Sequence, residues 1–451
     1  SVVDAQPRSE SGEKIALRLE NLHVDMPGEY VRGISLEIKE PETEPTTEPT
    51  EPDPVPESVV ATATIGATGD MLMHMPCVNP ALQSDGTYDF GTYFANFSAY
   101  VQAVDYAVAN LETTLAGTDN GYPYHGYPNF NCPDEIVDGL MNAGFDMMLT
   151  ANNHSYDTSL VGYKRTIETV RSKGMDNLGT MLSDDEPKYI IKEINGIKIG
   201  MLCYTYAFSV NEKGCPSLNG MPHIAEYGLC NYFYSGNLEA FYTEVQNHLD
   251  AMEEAGAEAT MMYIHWGVEY NYNSANDEQK KIAQELCDMG IDVIVGGHPH
   301  VVQPMALLTS TTDPEHKTVC LYSMGNAVSN QRLGNLQSIS TAHTEDGVLF
   351  SVTFSKYSAG TVYLESTDLL PLWVYRRTDG TGNEYNMLPL HMDEADSWME
   401  DFNMKEHTVN AAKNSHARTM AIVQEGLTEC QTYLQEAYDA REQYYYDLAF
   451  N

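Results

Sequence analysis

Residues 291–304 read IDVIVGGHPHVVQP. A short apolar, β-branched run bounded by two glycines is a buried strand that ends in a tight turn. The turn then sets His298 and His300 one residue apart, with Pro299 stiffening the backbone between them. Two imidazoles aimed from one stiff turn at a strand end point to a metal ion or a phosphate.

Working outward, the same type of segment recurs: VATATIGATGD (60–70), DYAVANLE (105–112), FDMMLTANNH (145–154), KIGMLCYTY (198–206), ATMMYIHWG (259–267) and VCLYSMGN (319–326). VLFSVTFS (348–355) and TVYLESTDLLPLWVY (361–375) follow. Amphipathic stretches separate them, among them PDEIVDGLMNAG, GYKRTIETVRSKG, LEAFYTEVQNHLDAMEEAG and DEQKKIAQELCDMG, each closed by a glycine suited to a helix C-terminus. Alternation of this kind predicts an α/β fold, with ligands at the C-terminal ends of the strands.

At those ends stand Asp70, Glu112, Asn153 with His154, His265, and His298 with His300. Carboxylate, amide and imidazole without thiolate form a donor set for Mn, Zn or Fe.

Composition narrows the function further. The chain has 451 residues, 65 acidic and 24 basic, for a formal charge of -41. That field repels DNA, RNA and anionic membranes, so nucleic acid is not an expected partner. The 8 cysteines show no zinc-finger or CxxC spacing. Cys203 and Cys320 read as buried thiols, and Cys215 and Cys230 are a candidate disulfide in an exported protein.

Residues 40–57, EPETEPTTEPTEPDPVPE, read as an extended linker after a short segment (1–39) of unknown role. Residues 58–392 are the expected main domain, and 393–451 a helical extension with an apolar stripe from Met420 to Ala437. The start at Ser1, the linker and the acidity lead to the expectation of an exported, surface-located protein, membrane-attached only through an N-terminal anchor outside this sequence.

The ordered set GD, NLE, ANNHSYD, HWGVEY, GGHPHVVQP and LYSMGN resembles the CapA-type poly-gamma-glutamate capsule biosynthesis proteins of the calcineurin-like metallophosphatase superfamily, over about residues 60–375. The resemblance implies a four-layer sandwich, two central mixed sheets flanked by helices, holding one or two divalent ions. It implies Asp70 and His300 on one ion, Asn153, His265 and His298 on the other, and Glu112 bridging. His154 would be the general acid, Asp157 its orienting partner, and a metal-bound hydroxide the nucleophile.

Most members of the superfamily open with Asp-x-His, whereas Leu72 stands two residues after Asp70. His74 is the tempting substitute. Arg332, in GNAVSNQRLGN, is the expected substrate ligand, with Arg376 and Arg377 as further candidates, and aromatic residues of HGYPNFNCP (125–133) are a candidate rim. The function implied is a metal-dependent phosphoesterase. The alternatives are a component that binds or assembles poly-gamma-glutamate or another anionic surface polymer together with capsule-assembly proteins, and an amide hydrolase acting on that polymer.

Overall fold

A computed structural model describes residues 57–335, 339–379, 382–401 and 404–450. The expected 1–39 segment and nearly all of the 40–57 linker lie outside the described residues, which themselves fall in one compact unit.

Two sheets form its centre. The first runs β17 (Gly382–Pro389), β16 (Val362–Asp379), β15 (Asp346–Tyr357), β1 (Val59–Met71), β2 (Tyr106–Asn110), β3 (Met147–Leu149), β4 (Asp176–Leu178), with β14 (Asn326–Val328) also paired to β1. The second runs β12 (Met305–Thr309), β13 (Lys317–Leu321), β11 (Val293–Gly297), β10 (Ala259–His265), β6 (Ile197–Tyr206), β5 (Ile190–Ile194), with β9 (Tyr232–Phe233) added at β6. A small hairpin, β7 (Ser209–Val210) with β8 (Pro216–Ser217), stands apart. Both sheets are mixed: β1–β2–β3–β4 and β6–β10–β11–β13 are parallel, while β15, β16, β17, β5 and β12 pair antiparallel.

Side-chain alternation explains the layering. Ile65, Val108 and Leu149 of the first sheet share one core with Met201, Met261, Val295 and Leu321 of the second, so the sheets pack face to face. The outer face of the first sheet packs Ala107, Ala109 and Met148 on Phe94, Ile136 and Leu140, from the short helix Gly91–Phe94 and the helix Glu135–Ala143. The outer face of the second packs Leu202, Met262 and Ile294 on Val245, Leu249, Ile282 and Leu286, from the helices Leu238–Glu254 and Asp277–Asp288. The result is the expected four-layer α/β sandwich. Local chemistry sets the helix limits: Asn276 and Gln279 form a reciprocal capping box, and Gly144 closes Glu135–Ala143 in the left-handed region at φ 107°.

The expected C-terminal helix spans Glu406–Phe450. Its Val423, Leu427, Cys430 and Leu434 enter the core between the sheets. Gly426 permits the approach, since a Cβ there would lie 2.1 Å from the carbonyl oxygen of Met305. Beside it, Ser415 and Arg418 bind the buried carboxylate of Asp346, with Arg418 donating at 2.6 and 2.9 Å.

All eight cysteines are free and buried, so the candidate Cys215–Cys230 disulfide is not formed. Cys230 instead points its thiol at the carbonyl of Asn231 inside the core shared by the two sheets. No helix among the described residues is long and apolar enough to cross a membrane.

Candidate metal centre

Parallel strands place their C-terminal ends on one edge, and the polar residues follow from that. Asp70 lies in β1 at a register shift, opposite Asn110 at the end of β2; Glu112 comes two residues later. His265 ends β10, and His298 leaves β11 through Gly296 and Gly297. Gly296 is needed there because a Cβ would sit 2.0 Å from the carbonyl oxygen of Tyr322. Beyond the glycines, His298 and His300 both take positive φ, 95° and 56°. Non-glycine residues in that region are strained, and such strain gathers at functional sites. Here it turns both imidazoles inward.

Two groups result. Glu112, His265 and His298 form one, and Asp70, Glu112 and His300 the other; within each, one ligand atom per residue lies within 4.8 Å of the rest. Glu112 is common to both. Its Oε1 is 3.5 Å from Nε2 of His265 and 3.8 Å from Nε2 of His300. Asn153 adds an amide oxygen 2.8 Å from Nε2 of His265. Asp70 accepts from Nδ1 of His300 at 3.0 Å and from Asn110 at 2.7 Å. All six side chains are buried.

Electrostatics favours cations here. Burial, then repulsion from Asp70, drives the Glu112 carboxyl well above the ordinary glutamate range. Burial acts upward on Asp70 too, but hydrogen bonding and charge from His300 more than offset it and its carboxyl stays low. Burial pulls His265 down to about 3 and His298 well below the usual imidazole value. Both rings are therefore neutral at pH 7 and have lone pairs to give. Two buried atoms, Oε1 of Glu112 and Nδ1 of His298, have no hydrogen-bond partner. Buried polar atoms are normally satisfied, and a bound cation would satisfy these. The donor set and its orphaned atoms fit divalent ions.

His154 stands beside this cluster. Its Nδ1 is 2.7 Å from Oδ2 of Asp157, and the same carboxylate oxygen accepts the backbone N–H of Phe130 at 2.7 Å. Asn219 donates to the other Asp157 oxygen at 2.9 Å. The ring of Phe130 packs edge-on against His154 at 4.7 Å between centroids, so this member of the expected rim is a buried wall, while Tyr127 is exposed.

His74 belongs to neither group of ligands. Its Nδ1 faces the carbonyl of Leu72 at 3.1 Å and the N–H of Asn330 at 3.3 Å, and burial, with repulsion from His300, pulls it down to about 4. Leu72, in the position of the missing histidine, is buried in the core.

Arg332, the expected substrate ligand, is buried among groups of the protein itself. Its guanidinium pairs with Glu345, donates to the carbonyl of Val374 and lies over the Trp373 ring. Each of its two terminal nitrogens thus binds a group of the protein itself.

Sequence reasoning passed over three asparagines. Asn110 links Asp70 to Asn152, donating to the first at 2.7 Å and accepting from the second at 3.1 Å. Asn326 donates to the carbonyl of His300 at 3.2 Å. Two of these carry a visible signal, because Asn110 opens NLE and Asn326 closes LYSMGN. Asn219 has none; a loop far along the chain delivers it.

Comparison with known proteins finds one family and several relatives. The family model described as "Bacterial capsule synthesis protein PGA_cap" matches residues 64–331, more than half of the chain. The PGA biosynthesis protein CapA of Bacillus subtilis (strain 168) is 28% identical over 235 residues, covering 51% of this chain and 54% of that protein. The capsule biosynthesis protein CapA of Bacillus anthracis is 27% identical over 241 residues, covering 53% and 54%. The chain thus spans about half the length of the curated relatives it matches. Among solved structures, the calcineurin-like phosphoesterase YfkN from Bacillus subtilis aligns over 80% of this chain and 98% of its own at 15% identity, with a TM-score of 0.34.

Proposed function

This chain belongs to the bacterial capsule synthesis protein family PGA_cap, and from that premise we propose that it is a metal-dependent phosphoesterase-like hydrolase acting at the cell surface. The observation that carries this reading is the pair of buried three-ligand groups sharing Glu112, with two of their ligand atoms lacking any hydrogen-bond partner.

Asp70 and His300 would hold one divalent ion (Mn, Zn or Fe), and Asn153, His265 and His298 a second, with Glu112 between them. Such ions, when bound, would supply Lewis acidity toward phosphoryl oxygens and lower the pKa of water. The chain's own residues do the rest. His154 donates a proton to the leaving oxygen, and Asp157 holds that imidazole by its Nδ1. Asn219 and the Phe130 N–H hold the Asp157 carboxylate in place. Phe130 walls the ring from one side and limits its rotation.

Purified protein supplied with Mn or Zn is to be assayed on phosphomonoesters and phosphodiesters. Turnover lost in His154→Ala and His298→Ala supports the proposal. Stoichiometric metal binding without turnover on any ester would sink it.

One observation favours a second reading, a metal centre that grips an anionic polymer such as poly-gamma-glutamate without cleaving it. Leu72 contributes no ligand where the wider superfamily has histidine, and His74 faces backbone groups, so the Asp70 side is poorer in donors. Titration of polyglutamate against metal-loaded and metal-stripped protein separates the two. Equal binding in both removes the second reading.

A further inference from the structure

The Asp70 and His300 half of the metal centre is held from behind, and the hold can be followed bond by bond. It begins at β14, which pairs in parallel with β1 in a register that sets Asn326 opposite Asp70. The N–H of Asp70 donates to the carbonyl of Gly325 at 2.9 Å. The amide nitrogen of Asn326 faces three acceptors: the carbonyl of His300 at 3.2 Å, the carbonyl of Thr344 at 2.9 Å and Oε1 of Gln331 at 3.1 Å. Its Oδ1 has no partner, so the bonding of this amide is committed to that one side. One backbone group beside Asn326 thus steadies Asp70, while its side chain steadies His300, whose φ of 56° persists only if the surroundings enforce it.

The strands behind these ligands touch backbone to backbone. A Cβ on Gly69 of β1 would lie 1.9 Å from the carbonyl oxygen of Gly325, and one on Gly347 of β15 would lie 2.1 Å from that of Asn326. Packing this close transmits displacement, so a shift at the start of β15 is felt in β14. The start of β15 is in turn fixed by the C-terminal helix. Arg418 donates to both oxygens of Asp346 at 2.9 and 2.6 Å and to the carbonyl of Ala342 at 3.4 Å, and Ser415 donates to Asp346 at 2.5 Å. Thr344, the residue whose carbonyl holds Asn326, sits in the chain between those two anchors. Asn326, Thr344 and Asp346 are all buried, so water does not compete for these bonds. Thr344, Asp346, Ser415 and Arg418 also lie beyond residues 64–331, the span matched by the family model.

We infer that Arg418 is a positioning residue for the metal centre: through Asp346, Thr344 and Asn326, the C-terminal helix sets the Asp70 and His300 ligands more than it sets the other group. That other group is carried by different elements, with His265 ending β10, His298 following β11 and Asn153 following β3. This rests on the metal-centre reading proposed above and not on hydrolysis.

The test is calorimetric titration of the metal-stripped full chain with Mn, well below the unfolding temperature, in two backgrounds. His298→Ala weakens the second group and leaves the Asp70/His300 ion to be read; His300→Ala does the reverse. Adding Arg418→Ala is expected to lower Mn affinity about tenfold in the first background and to leave it nearly unchanged in the second. Arg418→Lys, which keeps a cation at Asp346, is expected to restore part of the loss. Ser415→Ala, a milder change at the same carboxylate, gives the same direction should Arg418→Ala fold poorly. Equal losses in both backgrounds would mean that the helix only stabilises the domain, and would overturn the inference. Mn binding by wild type with no effect of Arg418→Ala or Ser415→Ala in the His298→Ala background would overturn it too, while leaving the metal centre standing. No Mn binding by wild type would remove the metal centre itself, and the inference with it.

Discussion

Replacing Glu112 by glutamine separates the energetics of the empty cluster from those of the loaded one. In the metal-free protein Oε1 of Glu112 is buried with no donor, 3.5 Å from the nearest imidazole nitrogen. Leaving a buried acceptor unsatisfied costs about 1–3 kcal/mol. The sign with pH follows from the raised carboxyl: the folded state holds the proton above the ordinary glutamate value of 4.5, so this stabilising contribution is complete at low pH and is lost as pH rises. At pH 7 to 8, metal-free Glu112→Gln is therefore expected to be about 1–3 kcal/mol more stable than wild type. Metal reverses the order. At about one hundred times the dissociation constant a bound ion adds about 2.7 kcal/mol, and Glu112 is the carboxylate common to both groups, so the variant forgoes most of that gain. Thermal denaturation of both proteins with chelator and with Mn or Zn, alongside metal analysis, gives four curves. The reasoning is refuted if the variant binds as much metal as wild type, or if metal-free wild type is the more stable of the two at pH 8.

Asn219→Ala is expected to lower turnover about tenfold to a hundredfold with metal content unchanged, because it removes a hydrogen bond to Asp157 and none to the ligands; the check is kinetics paired with metal analysis. Gly426→Ala forces a Cβ to within 2.1 Å of the Met305 carbonyl oxygen and is expected to cost about 1–3 kcal/mol in denaturant unfolding. Arg418→Ala leaves Asp346 buried with Ser415 alone and is expected to cost about 3 kcal/mol, with the C-terminal helix opening first in hydrogen exchange. Burial pushes Glu244 up, but His248 and Lys188 more than offset this and hold it at about 2. Its contribution is thus present above pH 4.5 and lost as pH falls toward 2; with the side chain 31% exposed, Glu244→Gln should remove about 1–2 kcal/mol at pH 7 and flatten the acid limb.

The strands easiest to read were those buried on both faces, such as Val293–Gly297 and Ala259–His265, where an unbroken apolar run can only be central. Edge strands such as β5 and β12 carry mixed, half-exposed side chains and give a weaker pattern. Ligand types were legible because strand-end carboxylates and imidazoles stand out against apolar runs.

From the chain alone came the α/β class, the helix that closes it, the family likeness, and a set of donors chosen by residue type and position at strand ends. Those depend on local periodicity and on chemistry that a linear string carries. Tertiary structure alone decided that Asn219 reaches Asp157, that Cys215 and Cys230 stay apart, and that Arg332 spends its charge on Glu345. Each is a meeting of side chains from separate segments, and distance across a fold is not written in sequence spacing.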